Sequence, residues 1–391
     1  MSRLLPALGV SLLIAVGASL ACLPLMALMF LMPYFVAVQR SRSSAYCVAL
    51  VYYTGASWAL IQGARNFFGP TPSRLDSVGL WLLSSSILAS PFAMLWASRR
   101  DHMAWRIPIA TVINALPPLG IIGWASPLTS AGLLFPGTEW LGVITIAAVP
   151  GLLIVRPRMT AGIGAVMIVL SNFLFGGGPA APSGWQAVDT DFGGIAHGGS
   201  SAVAAFLAAD RIQELARSSK AHVIIFPETV VPVWTEATSL FWQQTLAELR
   251  ASGKTIVFGA GMPMIRPGSK VSGSLEYRNA VLVAGANSEV FFQRIPVPIG
   301  MWRPFSGAGV PLNLAGRGII QIGRARAAIL ICYEQLLPWP MLQSFAEHPS
   351  VVVAIANDYW ATNTPIPKCQ AMSVRAWARL FWLPLISATN R

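Results

Sequence analysis

Long apolar runs fill the first half of the chain, and short β-branched segments alternating with amphipathic ones fill the second. A bilayer core about 30 Å thick takes about 20 apolar residues in helix, with a lower limit near 17. The runs that approach this length are Leu4–Leu20, Cys22–Val38, Tyr46–Gln62, Val78–Ala97, Pro108–Trp124, Trp140–Val155 and Ala161–Phe175. The first two form one stretch of residues 4–38, too long for a single upright helix. We divide it at Ala21-Cys22-Leu23-Pro24, because proline ends or kinks a helix. The alternative, one long span, stays open at this point.

After Phe175 a Gly/Pro-rich stretch through Gly184 reads as a linker, and the periodicity then changes. Predicted strands are Trp185–Phe192, His222–Phe226, Thr255–Ala260, Ala280–Ala284, Val290–Phe292, Ala327–Ile331, Val351–Ala356 and Leu383–Ser387. Predicted helices are Ala202–Arg217, Ser239–Ala251, Leu337–Ala346 and Gln370–Trp382. Such alternation argues a layered α/β domain. The expected organisation is a membrane domain of about seven helices over residues 1–176, a linker over 177–184 and an α/β domain over 185–391.

Charge sharpens this picture. Only 11% of the residues are charged while 54% are hydrophobic, which excludes a disordered tail and a soluble nucleic-acid binder. Before Gly177 the only acids are Asp76, Asp101 and Glu139. With seven spans and a cytoplasmic amino terminus, the inside segments carry Arg3, Arg40, Arg42, Arg99, Arg100, Arg106, Arg156 and Arg158. The outside loops then carry only Arg65 and Arg74, in line with the positive-inside rule. An odd number of spans puts the second half outside the cytoplasm. The expected location is therefore the bacterial inner membrane, multi-pass, with the α/β domain periplasmic. A transporter reading finds no charged pair within the runs.

Three polar groups close predicted strands, where α/β folds place reactive side chains. Glu228 follows His222-Val-Ile-Ile-Phe-Pro, Cys332 follows Ala327-Ala-Ile-Leu-Ile, and Asn357-Asp358 closes Val351–Ala356. A carboxylate that takes the thiol proton, and a thiolate that attacks a carbonyl, make an acyl-transfer pair working through a thioester. Each group also has a plain structural reading: core filler for the cysteine, a rim or helix-start acid for Glu228, turn chemistry for Asn-Asp. Cys369 beside Lys368 is a weaker candidate, and the Arg375–Arg379 segment reads as a helix lying on the domain or on the membrane surface. Cys22, Cys47, Cys332 and Cys369 are too scattered for a disulfide framework. His197 and His222 lack ligand spacing, so neither a metal nor a cofactor is expected.

Phe-Pro-Glu-Thr229, Ile-Cys-Tyr-Glu334 and Asn-Asp-Tyr-Trp360, in that order, resemble the carbon–nitrogen hydrolase (nitrilase) superfamily. With the apolar amino half, the whole chain resembles apolipoprotein N-acyltransferase; a shorter chain ending at Ala-Thr-Asn-Arg391 is most similar to the conjugal transfer proteins of rhizobial-type plasmids. The resemblance implies an αββα sandwich after a multi-span α-helical membrane domain. It also implies a Glu–Lys–Cys triad: Glu228 as base, Cys332 as nucleophile, Glu334 as a supporting acid. The family lysine falls at Gln293, and a second family glutamate falls at Met301. Arg294 is the adjacent cation but is expected on the opposite strand face, and Lys270 lies in a polar loop that would need another geometry.

Two readings follow. One is a membrane-anchored hydrolase or N-acyltransferase, with membrane lipid as acyl donor and a lipoprotein or peptide amine as acceptor. The other is a catalytically degenerate structural or binding component among conjugation-apparatus proteins. Retained Glu228 and Cys332 favour the first, Gln293 and Met301 the second. Neither reading involves direct nucleic-acid binding.

Overall fold

The computed structural model describes residues 4–68, 73–194, 202–264, 276–304 and 309–391. Among the described residues ten α-helices lead: α1 Leu4–Ser19, α2 Leu23–Ala27, α3 Leu31–Ala37, α4 Arg42–Ala56, α5 Leu60–Phe68, α6 Arg74–Met94, α7 Arg100–Ile113, α8 Ala131–Leu134, α9 Glu139–Val155 and α10 Pro157–Phe175. Then come β1 Trp185–Ala187, α11 Ala202–Ser218, β2 Val223–Ile225, α12 Glu236–Ala251, β3 Thr255–Met264, β4 Glu276–Gly285 and β5 Glu289–Phe292. The chain closes with β6 Ile319–Ile322, β7 Ala325–Ile331, α13 Pro338–Ala346, β8 Val351–Asn357, α14 Ile366–Leu380 and β9 Leu385–Asn390. These elements form two compact units. One holds the described parts of 4–179, with 335–342 and 363–383; the other holds the described parts of 180–334, with 343–362 and 384–391.

The first unit is helical, and proline and serine set its breaks. Residues 4–38 divide at Ala21, whose φ of 57° turns the chain, and Pro24 sits in the first turn of α2. Serine capping boxes start α4 (Ser41 with Ser44) and α6 (Ser73 with Asp76), satisfying backbone N–H groups that no helical carbonyl reaches. Several buried polar side chains find partners across the unit. The Asn114 amide donates to Tyr53 Oη at 3.1 Å and to the Leu88 carbonyl at 2.8 Å, and Tyr52 donates to the Ala125 carbonyl at 2.8 Å.

By length and composition, α6 and α10 can each cross a membrane, and α4 with α5, bent by 48°, adds a third candidate. The runs Leu4–Leu20 and Trp140–Val155 are the shorter apolar helices α1 and α9, and two other expected spans take different forms. The run Cys22–Val38 is two short helices, α2 and α3. The run Pro108–Trp124 starts inside α7 and gives way to a 3-10 turn at Leu119–Ile121, because Pro117-Pro118 cannot supply the N–H groups that would continue the helix.

The second unit is a two-sheet sandwich. The first sheet runs β1-β2-β3-β4-β5, parallel through β3 and antiparallel beyond; the second runs β6-β7-β8-β9, with β6 antiparallel to its neighbour and the rest parallel. Ile225, Val257 and Val281 from one sheet and Ile329, Val353 and Ile386 from the other share one apolar core. Alternate residues of the first sheet, including Ile224, Ile256 and Phe258, turn outward to Ile212 of α11 and Trp242 of α12. The expected strands are all present with shifted ends, and β6 is additional. The segment after β1, expected to continue as strand to Phe192, leaves that sheet: Thr190 bridges instead to Asn390 of β9.

Candidate active site

Three parallel strands end on the groups singled out from the sequence. After β2 the chain passes Phe226-Pro227 to Glu228, held by the Phe226 N–H on the Val257 carbonyl at 2.7 Å and by the Gly259 N–H on the Pro227 carbonyl at 2.9 Å. Gly259 makes this crossing possible, since a Cβ there would run into Glu228 Cα. After β7, Cys332 takes a φ of +49° and opens a 3-10 turn to Leu336. A non-glycine residue in that region costs about 1–3 kcal/mol and persists only where its surroundings hold it. The sharp turn carries the sulfur off the strand line.

These ends converge. The Cys332 thiol hydrogen-bonds the Glu228 carboxyl, and both residues are only 6% exposed. Glu228 Oε2 accepts from the Asn357 N–H at 2.9 Å, and Oε1 accepts from the Asn279 amide at 2.6 Å. Burial pushes the Glu228 carboxyl up to about 8, against the opposing pull of hydrogen bonds from Cys332 and the Asn357 N–H; the nearby acids Asp358 and Glu334 add to the rise. The thiol is pushed well above its ordinary value, first by burial, then by the negative charge of Glu228 and of Asp358. At neutral pH the resting pair therefore holds both protons for most of the time.

Gln293 joins the cluster just past β5. Its Oε1 accepts from the Asn279 amide at 3.1 Å, and its Nε2 donates to the carbonyl of Ile331, the residue before the cysteine, at 3.3 Å. Arg294 turns elsewhere, although it lies beyond the strand's end rather than on its opposite face. Its guanidinium, 1% exposed, lies 3.4 Å from Glu334 Oε1 and donates to Ser344 Oγ at 3.0 Å and the Ile329 carbonyl at 3.2 Å. Glu334 accepts the N–H groups of Arg294 at 2.8 Å, Ile295 at 3.1 Å and Ile331 at 3.1 Å, so it fastens the Gln293 segment to the end of β7. Its carboxylate faces backbone and guanidinium. Met301 lies in the turn Val297–Trp302, its N–H on the Val297 carbonyl at 2.9 Å. Lys270 and His197 lie outside the described residues. Cys369 is buried on α14, in the helical unit.

Two residues of the site were not singled out from the sequence. Asn279 sits in an apolar strand, and its register opposite Gly261 on β3 brings its amide to Glu228. Asn390 pairs with Asn357 across β8 and β9 and donates to its Oδ1 at 2.8 Å, while Thr190 Oγ1 and the Phe192 N–H donate to Asn390 Oδ1 at 2.8 and 2.9 Å. This chain of amides holds in place the strand end whose N–H meets Glu228. An asparagine on the core-facing parity of an apolar strand is the available signal, because a buried amide needs partners.

A buried carboxyl on a thiol at a strained turn, with two further donors on the carboxyl, can pass a proton and form a covalent adduct. No lysine or arginine cation joins the pair among the described residues, and no three His, Cys, Asp or Glu side chains cluster there as metal ligands.

The chain is 33% identical to conjugal transfer protein TraB of Agrobacterium fabrum, over 92% of its own length and 86% of the relative's. It is 26% identical to apolipoprotein N-acyltransferase of Azotobacter vinelandii, over 84% of this chain and 66% of that one. A solved carbon–nitrogen hydrolase from Helicobacter pylori G27 is similar at a TM-score of 0.37 and 13% identity, over 53% of this chain and 72% of that one; a likeness so low carries no weight alone. No family model matches the sequence.

Proposed function

The chain belongs to the TraB family of conjugal transfer proteins, and we propose that it is a membrane-anchored acyltransferase of the carbon–nitrogen hydrolase kind working through Cys332. The observation that carries this reading is the hydrogen bond between the Cys332 thiol and the Glu228 carboxyl, both buried at the ends of adjoining strand systems. Glu228, once ionised, takes the Sγ proton as sulfur attacks an acyl carbonyl. The departing alcohol takes that proton back and leaves a thioester. An amine then attacks: the new N–C bond forms, the S–C bond breaks, and Glu228 relays the amine proton to the leaving thiolate.

The donor is membrane lipid and the acceptor a lipoprotein or peptide amine. Supporting this are the similarity to apolipoprotein N-acyltransferase and the apolar amino half. Seven apolar runs with arginine-rich inside segments support a multi-pass protein of the inner membrane, with its amino terminus cytoplasmic and its sandwich periplasmic. Mass spectrometry of the chain purified from membranes tests the chemistry: a hydroxylamine-labile acyl adduct on Cys332, absent in Cys332→Ser, is expected. Rescue of lipoprotein N-acylation in a strain depleted of its N-acyltransferase is the matching cellular readout.

Gln293 favours a second reading. A neutral amide stands at the resembled family's lysine position, and losing one oxyanion-stabilising donor costs about 10²–10³ in rate. On that reading the protein is a binding component of the conjugation apparatus, retaining the sandwich without turnover. Absence of both the adduct and the rescue would put this reading first.

A further inference from the structure

The helical unit contains a cavity of about 800 Å³ that none of the acyl-transfer residues line. It opens between the start of α1, the end of α3, the α6–α7 turn and the α9–α10 junction. Val10, Val38, Leu153 and Ile154 give it an aliphatic side, Gln39 and Ser98 add polar groups, and Arg40 and Arg100 stand at its exposed rim. Sites of roughly 300–1,000 Å³ hold small organic ligands. An aliphatic side beneath two guanidinium groups suits a molecule with a hydrocarbon part and an anionic head.

Three observations narrow the occupant. First, neither Arg40 nor Arg100 has a carboxylate partner among the described residues; the nearby Asp101 pairs with Arg99 at 3.7 Å. Second, Trp96, which also lines the cavity, has a buried Nε1–H with no acceptor among the described residues, a donor to which a ligand oxygen would give a partner. Third, the segments forming the cavity also carry Arg42, Arg99, Arg156 and Arg158, so this end of the bundle is strongly positive. Arginine forks match phosphate oxygens in pairs, and basic pockets between membrane helices take anionic lipid heads. Tyr34 and Trp96 are the aromatic types that settle at the headgroup level. Inorganic phosphate could meet the arginines but would leave the aliphatic side wet.

We propose that this cavity binds an anionic phospholipid, its phosphate between Arg40 and Arg100 and an acyl chain along Val10, Val38, Leu153 and Ile154. The site is separate from Cys332 chemistry and stands whether or not the protein turns over.

The test uses the full chain purified in detergent and exposed to phosphatidylglycerol, phosphatidylethanolamine or inorganic phosphate, with bound species counted by native mass spectrometry. Phosphatidylglycerol is expected to be retained at least tenfold better than phosphatidylethanolamine, and Arg40→Gln/Arg100→Gln to lose that preference. Brominated-chain phosphatidylglycerol is expected to quench the wild type more than Trp96→Phe, a readout that survives if the double variant fails to fold. Equal retention of the two lipids, displacement of lipid by inorganic phosphate, or identical quenching in Trp96→Phe would each overturn the assignment.

Discussion

The side-chain amide of Asn279 lies 2.6 Å from Glu228 Oε1 and 3.1 Å from Gln293 Oε1, tying the candidate base to the residue at the resembled family's lysine position. A lysine there would present a cation to the carboxylate; Gln293 instead shares a neutral donor with it. Truncation of Asn279 to alanine removes that donor from the ionised carboxylate. A hydrogen bond to a charged group contributes about 1.5–3 kcal/mol, so Asn279→Ala is expected to slow Cys332 alkylation by roughly ten- to a hundredfold. An unchanged rate, measured by quantitative mass spectrometry with iodoacetamide, would show that Asn279 only fills space.

The pH dependence of that alkylation follows from the raised carboxyl. Glu228 must be ionised to act as base, and its pKa is pushed up to about 8. The rate at Cys332 is expected to rise by up to about tenfold per pH unit below that value and to level above it. Glu228→Gln should abolish the inflection. A profile that is flat from pH 6 to about 8 in the wild type would count against Glu228 as the base.

Gln293→Lys tests the missing cation directly. A positive charge beside the pair favours both carboxylate and thiolate. The alkylation midpoint is therefore expected to fall by at least about one unit, with a rate at pH 7 about tenfold or more above wild type. If midpoint and rate stay put, the lysine is held neutral or swings away, and the substitution at residue 293 is not what limits the site.

The sequence made the ends of β2, β7 and β8 legible because each is an apolar run stopped by a polar residue: Glu228, Cys332 and Asn357. It did not reveal the part played by Asn279, which depends on the β3–β4 register rather than on any local signal. Strand β6, Ile319–Ile322, was not among the expected strands. In the amino half, hydropathy marked where helices lie, but Pro24 and Pro117-Pro118 decide where they break. Asn363–Leu383 belongs by contacts to the helical unit, a long-range outcome on which helical periodicity says nothing.

Gly259 offers a test of how tightly the Glu228 turn is fitted. Backbone of Glu228 and Thr229 crosses it where a Cβ would stand, and Thr229 itself has a φ of +52°. Neither neighbour is the free end of a side chain, so Gly259→Ala must displace the turn. Overpacking of this kind costs about 1–3 kcal/mol. The expected result is a lowered Tm together with slower Cys332 alkylation; a lowered Tm with unchanged alkylation would separate the turn's stability from the placement of Glu228.

Stability should carry the mark of the same buried acid. The folded-state value of about 8 exceeds the ordinary 4.5, so the native protein binds the Glu228 proton more tightly than the unfolded chain does. That contribution is fully present below pH 4.5 and is lost as pH rises through 8. Glu228→Gln keeps an amide of the same shape with no proton to lose, so it removes the dependence. Thermal unfolding of both proteins between pH 5 and about 9 is expected to show the wild type losing stability relative to Glu228→Gln as pH increases, with a slope of at most about 1.4 kcal/mol per unit. The opposite slope would mean that the carboxylate is the form the fold prefers, held ionised by Asn279 and the Asn357 N–H against the cost of burial. Cys332 would then face a ready base at neutral pH, and the inflection expected in its alkylation would have to lie far lower.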